Sequence, residues 1–283
     1  MIPSVNDNAT LTAKAELEMF ERQQYVDIHC HCLAGFDDGP ATVPEAIALC
    51  RALVDDCVTT VIATPHQLGR YNNCNEAAQV REAVCLLNEA LKSEDIGLSV
   101  MPGGDVRVDE RICKLLEADK ILTLADGGRY ILLELPHEVF INIEPLLVEL
   151  ASLSVQAIIS HPERHAFLAQ QPKILLKWLS HSAHLQVTAG SLLGEFGPAA
   201  ERAAWQMLSS GLASLVATDS HDLDGRRPRM NLAFDHISVK LGWTIARQLC
   251  IENPLRVLKG QNIQMINSIS TRRYSEERVP TSF

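Results

Sequence analysis

Residues 26–39, VDIHCHCLAGFDDG, hold two histidines two positions apart, His29 and His31, and a carboxylate pair, Asp37 and Asp38. Imidazole beside carboxylate is a ligand set for zinc, manganese or iron, and histidines at i and i+2 of a strand can reach one ion. The bland alternative is a pair of buried, hydrogen-bonded histidines. The spacing predicts a strand over 26–32, with Asp27, His29 and His31 on one face and Val26, Ile28, Cys30 and Cys32 on an apolar back. Gly35 and Gly39 bracket the loop that carries Asp37 and Asp38 to the strand end.

Residues of the same kind close one aliphatic run after another. TTVIATPH ends at His66, GLSVMPGGD at Asp105, and QAIISHPER at His161, Glu163 and Arg164. LASLVATDSH ends at Asp219 and His221, repeating the i, i+2 spacing of His29 and His31. Glu134 interrupts YILLELP, where an ionised carboxylate is costly unless a cation meets it. His66 and His161 each precede a proline, so either could instead be a turn residue with a satisfied imidazole. Glu163 reads as a supporting salt bridge or a helix cap and stands outside the ligand set.

These residues need a scaffold that gathers strand ends. Strands are predicted over 25–32, 59–64, 97–103, 130–135, 156–160, 184–188 and 212–218, and helices near 76–93, 143–154, 173–183, 197–210, 230–242 and 243–260. A first helix over 43–57 aligns Val43, Ile47, Cys50, Leu53, Val54 and Cys57, with Pro44 in its first turn. A short helix near 108–118 precedes Ile121 to Leu124 and the turn Asp126-Gly127-Gly128. Strands alternating with helices imply a parallel α/β sheet, and the length favours a closed barrel, a fold that builds its sites at the carboxyl ends of its strands. Residues 1–24 read as an extension, either a docking helix or a frayed tail, and the stretch from 268 has no periodic apolar face.

With 283 residues, 47% of them hydrophobic, the chain can bury one large core. It has neither a run of ~20 apolar residues nor a signal-peptide pattern, so a soluble, cytoplasmic protein is expected. The net charge of −10 argues against general nucleic-acid binding but leaves an anionic substrate open. Most of the eight cysteines fall within helix or strand patterns, without a CxxC pair, as free thiols do. Cys250 and Arg256 show the Cys-x5-Arg spacing of cysteine-dependent tyrosine phosphatases, yet the intervening IENPL is helical in pattern. It offers no loop of free N–H groups for a phosphate.

The ordered set DIHCHCLAGFDDG, ATPH, PGGD, YILLELP, ISHPERH, TAGSLLGEFG and ATDSHDLDGRRP resembles the polymerase and histidinol phosphatase (PHP) family. Within it, the chain is most similar to the manganese-dependent protein-tyrosine phosphatases of bacterial capsule and exopolysaccharide operons. The resemblance spans residues 25–262, between the extension 1–24 and a tail 263–283. It implies a single-domain, distorted (β/α)7 TIM-like barrel with three metal ions, manganese by expectation and iron, zinc or cobalt as substitutes. By motif position His29, His31, Glu134 and Asp219 would hold one ion, with Glu134 bridging to a second completed by Asp105 and His161. Asp38, His66 and His221 would hold the third. Arg164 and Arg226 match the family's phosphate-gripping arginines. The implied reaction is hydrolysis of phosphotyrosine by a metal-bridged hydroxide, and the implied partner a bacterial tyrosine autokinase. Two departures stand out: Asp105 replaces the family's glutamate, shorter by about 1.5 Å, and Gln67 stands where many relatives have a second histidine. A PHP-type phosphatase of a small metabolite, such as histidinol phosphate or a sugar phosphate, and an inactive metal-binding scaffold are the alternatives.

Overall fold

The computed structural model describes residues 24–137 and 139–266; the expected extension up to residue 23 and the tail from 268 lie outside the described residues. Among the described residues nine short strands form in chain order: β1 (Tyr25–Cys30), β2 (Val58–Ala63), β3 (His66–Gln67), β4 (Ser99–Pro102), β5 (Asp105–Arg107), β6 (Tyr130–Glu134), β7 (Gln156–Ser160), β8 (His184–Thr188) and β9 (Leu215–Ala217). All ladder pairs are parallel. Continuous aliphatic runs such as YILLE and QAIIS suit strands covered on both faces.

The parallel α/β architecture is as expected, but the strands fall into two sheets, β1-β2-β4 and β3-β5-β6-β7-β8-β9, in place of one continuous ring. Two breaks cause this. The expected strand over 59–64 stops at Thr64-Pro65 and resumes as β3, since proline offers no N–H to a ladder. The strand expected over 97–103 stops at Gly103-Gly104 and resumes as β5. There the backbone runs against its neighbours: a Cβ on Gly103 would lie 2.6 Å from Ile62 Cγ2, and one on Gly104 would collide with the Gln67 side chain. At the outer strands, Cys30 and Ser220 form an isolated parallel bridge. Asp219 N–H donates to His29 O (2.8 Å) and His31 N–H to Ser220 O (2.9 Å).

Two apolar clusters hold the strands. An inner one gathers Val26, Ile28, Ile62, Tyr130, Leu132, Ile158, Leu215 and Ala217, and the larger one lies between strands and helices. The expected apolar back of β1 is therefore divided. Val26 and Ile28 join the inner cluster, whereas Cys30 and Cys32 join the outer, because the ladder register shifts between Asp27 and Cys30. Asp27 does not reach the histidines' site; it accepts from the Thr218 N–H (3.0 Å) and the Thr218 hydroxyl, and burial pushes its carboxyl up to about 7.

Helices follow the expected order with shorter bounds. In α1 (Val43–Asp55) Glu45 accepts from the N–H groups of Ala41 and Thr42, and Ala46, Leu49, Cys50 and Leu53 are buried while Val43 is 54% exposed. The helix expected over 243–260 is Trp243–Arg247, a wide turn at Gln248–Glu252, and Asn253–Leu258. Packing continues four residues past the expected boundary at 262: Ile263 and Ile266 are buried, and Gln264 N–H donates to Asn253 Oδ1 (3.0 Å). Among the described residues, no helix is long and apolar enough to cross a membrane.

Candidate metal centre

All nine expected ligand residues converge at the carboxyl ends of the strands, in four overlapping groups. His31, Asp38, His66 and His221 form one; His29, His31 and Asp219 a second; His29, Asp105 and His161 a third; His66, Asp105 and Glu134 a fourth. Ligand atoms within each group lie within 4.8 Å of one another. Glu134, expected beside His29, His31 and Asp219 and as a bridge to the site of Asp105 and His161, groups with His66 and Asp105, and His29, His31, His66 and Asp105 each belong to two groups.

Strand geometry sets these positions. Parallel pairing puts His66 opposite Asp105 and Arg107 opposite Glu134. His161 and Asp219 end their strands with positive φ, 35° and 54°, a conformation that non-glycine residues hold only where surroundings enforce it. The shorter Asp105 still reaches the cluster, its Oδ2 lying 3.3 Å from His66 Nδ1 and 3.7 Å from His29 Nε2. Gln67 faces away, donating to Asn75 O (2.7 Å) and accepting from Leu122 N–H (2.9 Å).

The polar arrangement fits cations. His29 Nδ1 lies 2.9 Å from Gln186 Oε1, and His31 Nδ1 lies 2.6 Å from Asp37 Oδ2. Both are acceptors, so each Nδ1 carries the proton and each Nε2 presents a lone pair. Those two Nε2 atoms face each other at 3.2 Å, a repulsive contact that a shared cation relieves. Asp105 Oδ2, Asp219 Oδ1 and His221 Nε2 are buried without a hydrogen-bond partner. Buried polar atoms are seldom left so. Burial presses His31 down to about 3 and His161 well below the usual imidazole range, which keeps both neutral, the form that binds metal.

Arginines complete the rim. Arg164 and Arg226 each place Nη2 on Asp219 Oδ2, at 2.8 and 2.6 Å, while the Nε of each is buried and unpartnered. Burial raises Asp219, but His29, Arg164, Arg226 and His221 outweigh it and hold the carboxyl well below its ordinary value. Glu163 accepts from Thr188 N–H (2.9 Å) and the Ser191 hydroxyl (2.7 Å), the capping role open to it in the sequence. Three supporting roles are visible only in three dimensions. Asp37 pins His31 and accepts from His66 N–H (2.9 Å), Gln186 orients His29, and Phe196 lies under the Arg164 guanidinium at 4.5 Å. Cys250 is buried, its thiol pushed up by burial, and it does not line the cavity of about 870 Å³ above the cluster. All eight cysteines are free.

A parallel α/β scaffold that gathers histidines and carboxylates at its strand ends is the architecture of metal-assisted hydrolases. A family model described as capsular polysaccharide synthesis, CpsB/CapC, matches residues 25–259, and the chain belongs to that family. It is 34% identical to tyrosine-protein phosphatase YwqE of Bacillus subtilis (strain 168) over 240 residues, 84% of this chain and 93% of the relative. It is 28% identical to tyrosine-protein phosphatase CpsB of Streptococcus pneumoniae over 245 residues, 84% of this chain and 100% of the relative. The crystal structures of YwqE from B. subtilis and CpsB from S. pneumoniae, described as unique metal-dependent tyrosine phosphatases, include a chain that superposes with a TM-score of 0.81 at 33% identity. That match covers 85% of this chain and 97% of the other. A β-aspartyl dipeptidase from Fervidobacterium islandicum-AW-1 (TM-score 0.51, 16% identity, 84% and 74% covered) shares the fold alone.

Proposed function

We propose that the chain is a metal-dependent protein-tyrosine phosphatase whose metal ligands are His29, His31, Asp38, His66, Asp105, Glu134, His161, Asp219 and His221. The observation that carries this reading is that atoms of Asp105, Asp219 and His221 are buried without a hydrogen-bond partner, each within one of the overlapping ligand groups at the strand ends. The relatives' names and the 33% identical structure support the tyrosine phosphatase activity. Three manganese ions are the occupancy we propose, and a donor set of imidazole and carboxylate suits that metal. Bound there, the ions supply Lewis-acid neutralisation of phosphate charge and a nucleophile at neutral pH.

The chain's own residues bind and orient. Arg164 and Arg226 offer unpartnered Nε–H groups to phosphate oxygens, which suits bidentate guanidinium recognition. Phe196 makes a cation–π contact with the Arg164 guanidinium that helps hold it in place. Asp37 and Gln186 hold the His31 and His29 rings in the orientation that faces the ions. The two sheets and the Cys30–Ser220 bridge support a distorted seven-stave barrel, which we take as one catalytic domain over 25–262 flanked by 1–24 and 263–283. We place the protein in the cytoplasm, acting on a tyrosine autokinase of a polysaccharide pathway.

The test is turnover of a phosphotyrosine peptide beside histidinol phosphate, after chelation and after Mn²⁺ is restored. Mn²⁺-dependent hydrolysis that favours the peptide is expected. Preference for the small ester, or turnover that survives chelation, overturns the reading.

A further inference from the structure

The chain carries a net charge of −10, yet five arginines line the cavity above the cluster against three carboxylates, Asp38, Glu134 and Glu163. Two of the five, Arg164 and Arg226, stand on the Asp219 side of the cluster and suffice for one phosphate dianion. On the Glu134 side stands Arg107, and Arg70 lies in the loop packed against its stem. Arg107 shares the β5 face of Asp105, and its Nη1 lies 3.5 Å from Glu134 Oε2, buried and without a hydrogen-bond partner. Its stem is seated in the loop before Tyr71. A Cβ on Gly69, where φ is +54°, would lie 2.9 Å from Arg107 Cγ, so only glycine lets the loop close on this arginine. Arg70 follows directly; it donates to the Tyr71 hydroxyl (2.5 Å) and makes no ion pair among the described residues. The Tyr71 ring lies nearly parallel to His66, at 12° and 5.5 Å between centroids, so it joins this wall to the cluster.

We propose that Arg70, Tyr71 and Arg107 form a second anion subsite, which takes a carboxylate or phosphate on a residue neighbouring the phosphotyrosine being hydrolysed. A lone aryl phosphate leaves this wall unused, whereas an acidic or doubly phosphorylated segment engages both sides of the cavity. The subsite rests on the phosphotyrosine phosphatase reading and narrows its substrate to acidic phosphopeptides.

The experiment compares three Mn²⁺-supplemented substrates of one length: a phosphotyrosine peptide flanked by alanine, the same peptide flanked by glutamate, and one carrying a second phosphotyrosine. The quantity read is the ratio of kcat/KM for each acidic peptide to that for the alanine peptide, within each enzyme. The wild type is expected to favour an acidic peptide by about tenfold, the range of one charge-assisted contact. Arg70→Glu and Arg107→Gln are expected to bring the ratio to one or below, whatever they do to absolute rates. Preference for glutamate identifies a carboxylate subsite, and preference confined to the second phosphotyrosine a phosphate subsite. A wild-type ratio near one, or a ratio both variants retain, overturns the proposal. Absence of turnover on every peptide counts against the phosphatase reading itself, and the subsite is then judged by the same ratio in peptide affinity, measured by fluorescence anisotropy.

Discussion

Asp105 is the residue on which the ligand set turns, because it is one methylene shorter than the glutamate of the resembling family. Its Oδ2 nevertheless sits 3.3 Å from His66 Nδ1 inside the cluster. Asp105→Asn keeps the shape and removes the charge, so metal affinity and turnover are both expected to fall by about a hundredfold or more, as read by metal titration and peptide hydrolysis. Asp37 acts one step back, through His31 Nδ1, and Asp37→Ala is expected to weaken metal binding by about 10–100-fold with little change in substrate preference. Arg164→Ala removes a phosphate donor while leaving the ligands, so turnover is expected to drop by about 10²–10³ with metal content unchanged. The nine proposed ligands stood out in the sequence because most of them close or interrupt an aliphatic run, where a polar residue has no structural reason to be. Gln186 and Arg107 could not. Their partners lie 157 and 27 positions away in the chain, and nothing in their local pattern separates them from ordinary polar residues.

Elements carry the site only because two strands break. Pro65 and the Gly103-Gly104 pair end β2 and β4, and the resumed strands β3 and β5 bring His66 and Asp105 side by side. The glycines and the proline were visible in the sequence, but what they do depends on how closely β3 and β5 approach. A Cβ on Gly104 has no room beside Gln67, so Gly104→Ala is expected to destabilise the fold by about 1–3 kcal/mol and to lower activity with it, measured by chemical denaturation. The alternation expected for β1 failed for a related reason: the register shift between Asp27 and Cys30 turns Cys30 outward, a change that periodicity cannot register. His184 on β8 offers a separate check. Among the described residues its ring hydrogen-bonds only Gln156 Oε1, and burial depresses the imidazole from 6.5 to about 4. Between those values the unfolded chain takes up a proton that the folded ring refuses, so stability is present above about pH 6.5 and is lost as pH falls toward 4. The wild type is expected to lose on the order of 3 kcal/mol across that window from this group. His184→Gln should flatten the slope in pH-dependent denaturation.

At the scale of the whole molecule, a surface of net negative charge surrounds one cavity in which arginines outnumber carboxylates at the lining. The chain's charge therefore says little about its substrate. The parallel α/β class was legible from alternating helix and strand runs, whereas the division into two sheets was not, since it follows from backbone approaches between distant strands. Packing beyond 262 was likewise not legible: Ile263 fills the inner cluster and Ile266 is buried. The most direct test of the central claim is metal content per chain, followed by elemental analysis as Mn²⁺ is added to chelated protein, with phosphotyrosine-peptide turnover measured on the same samples. Binding that saturates near three ions, with turnover rising only as the sites fill, is the expected result. Full turnover in metal-free protein, or saturation with no turnover of any phosphate ester, would contradict it.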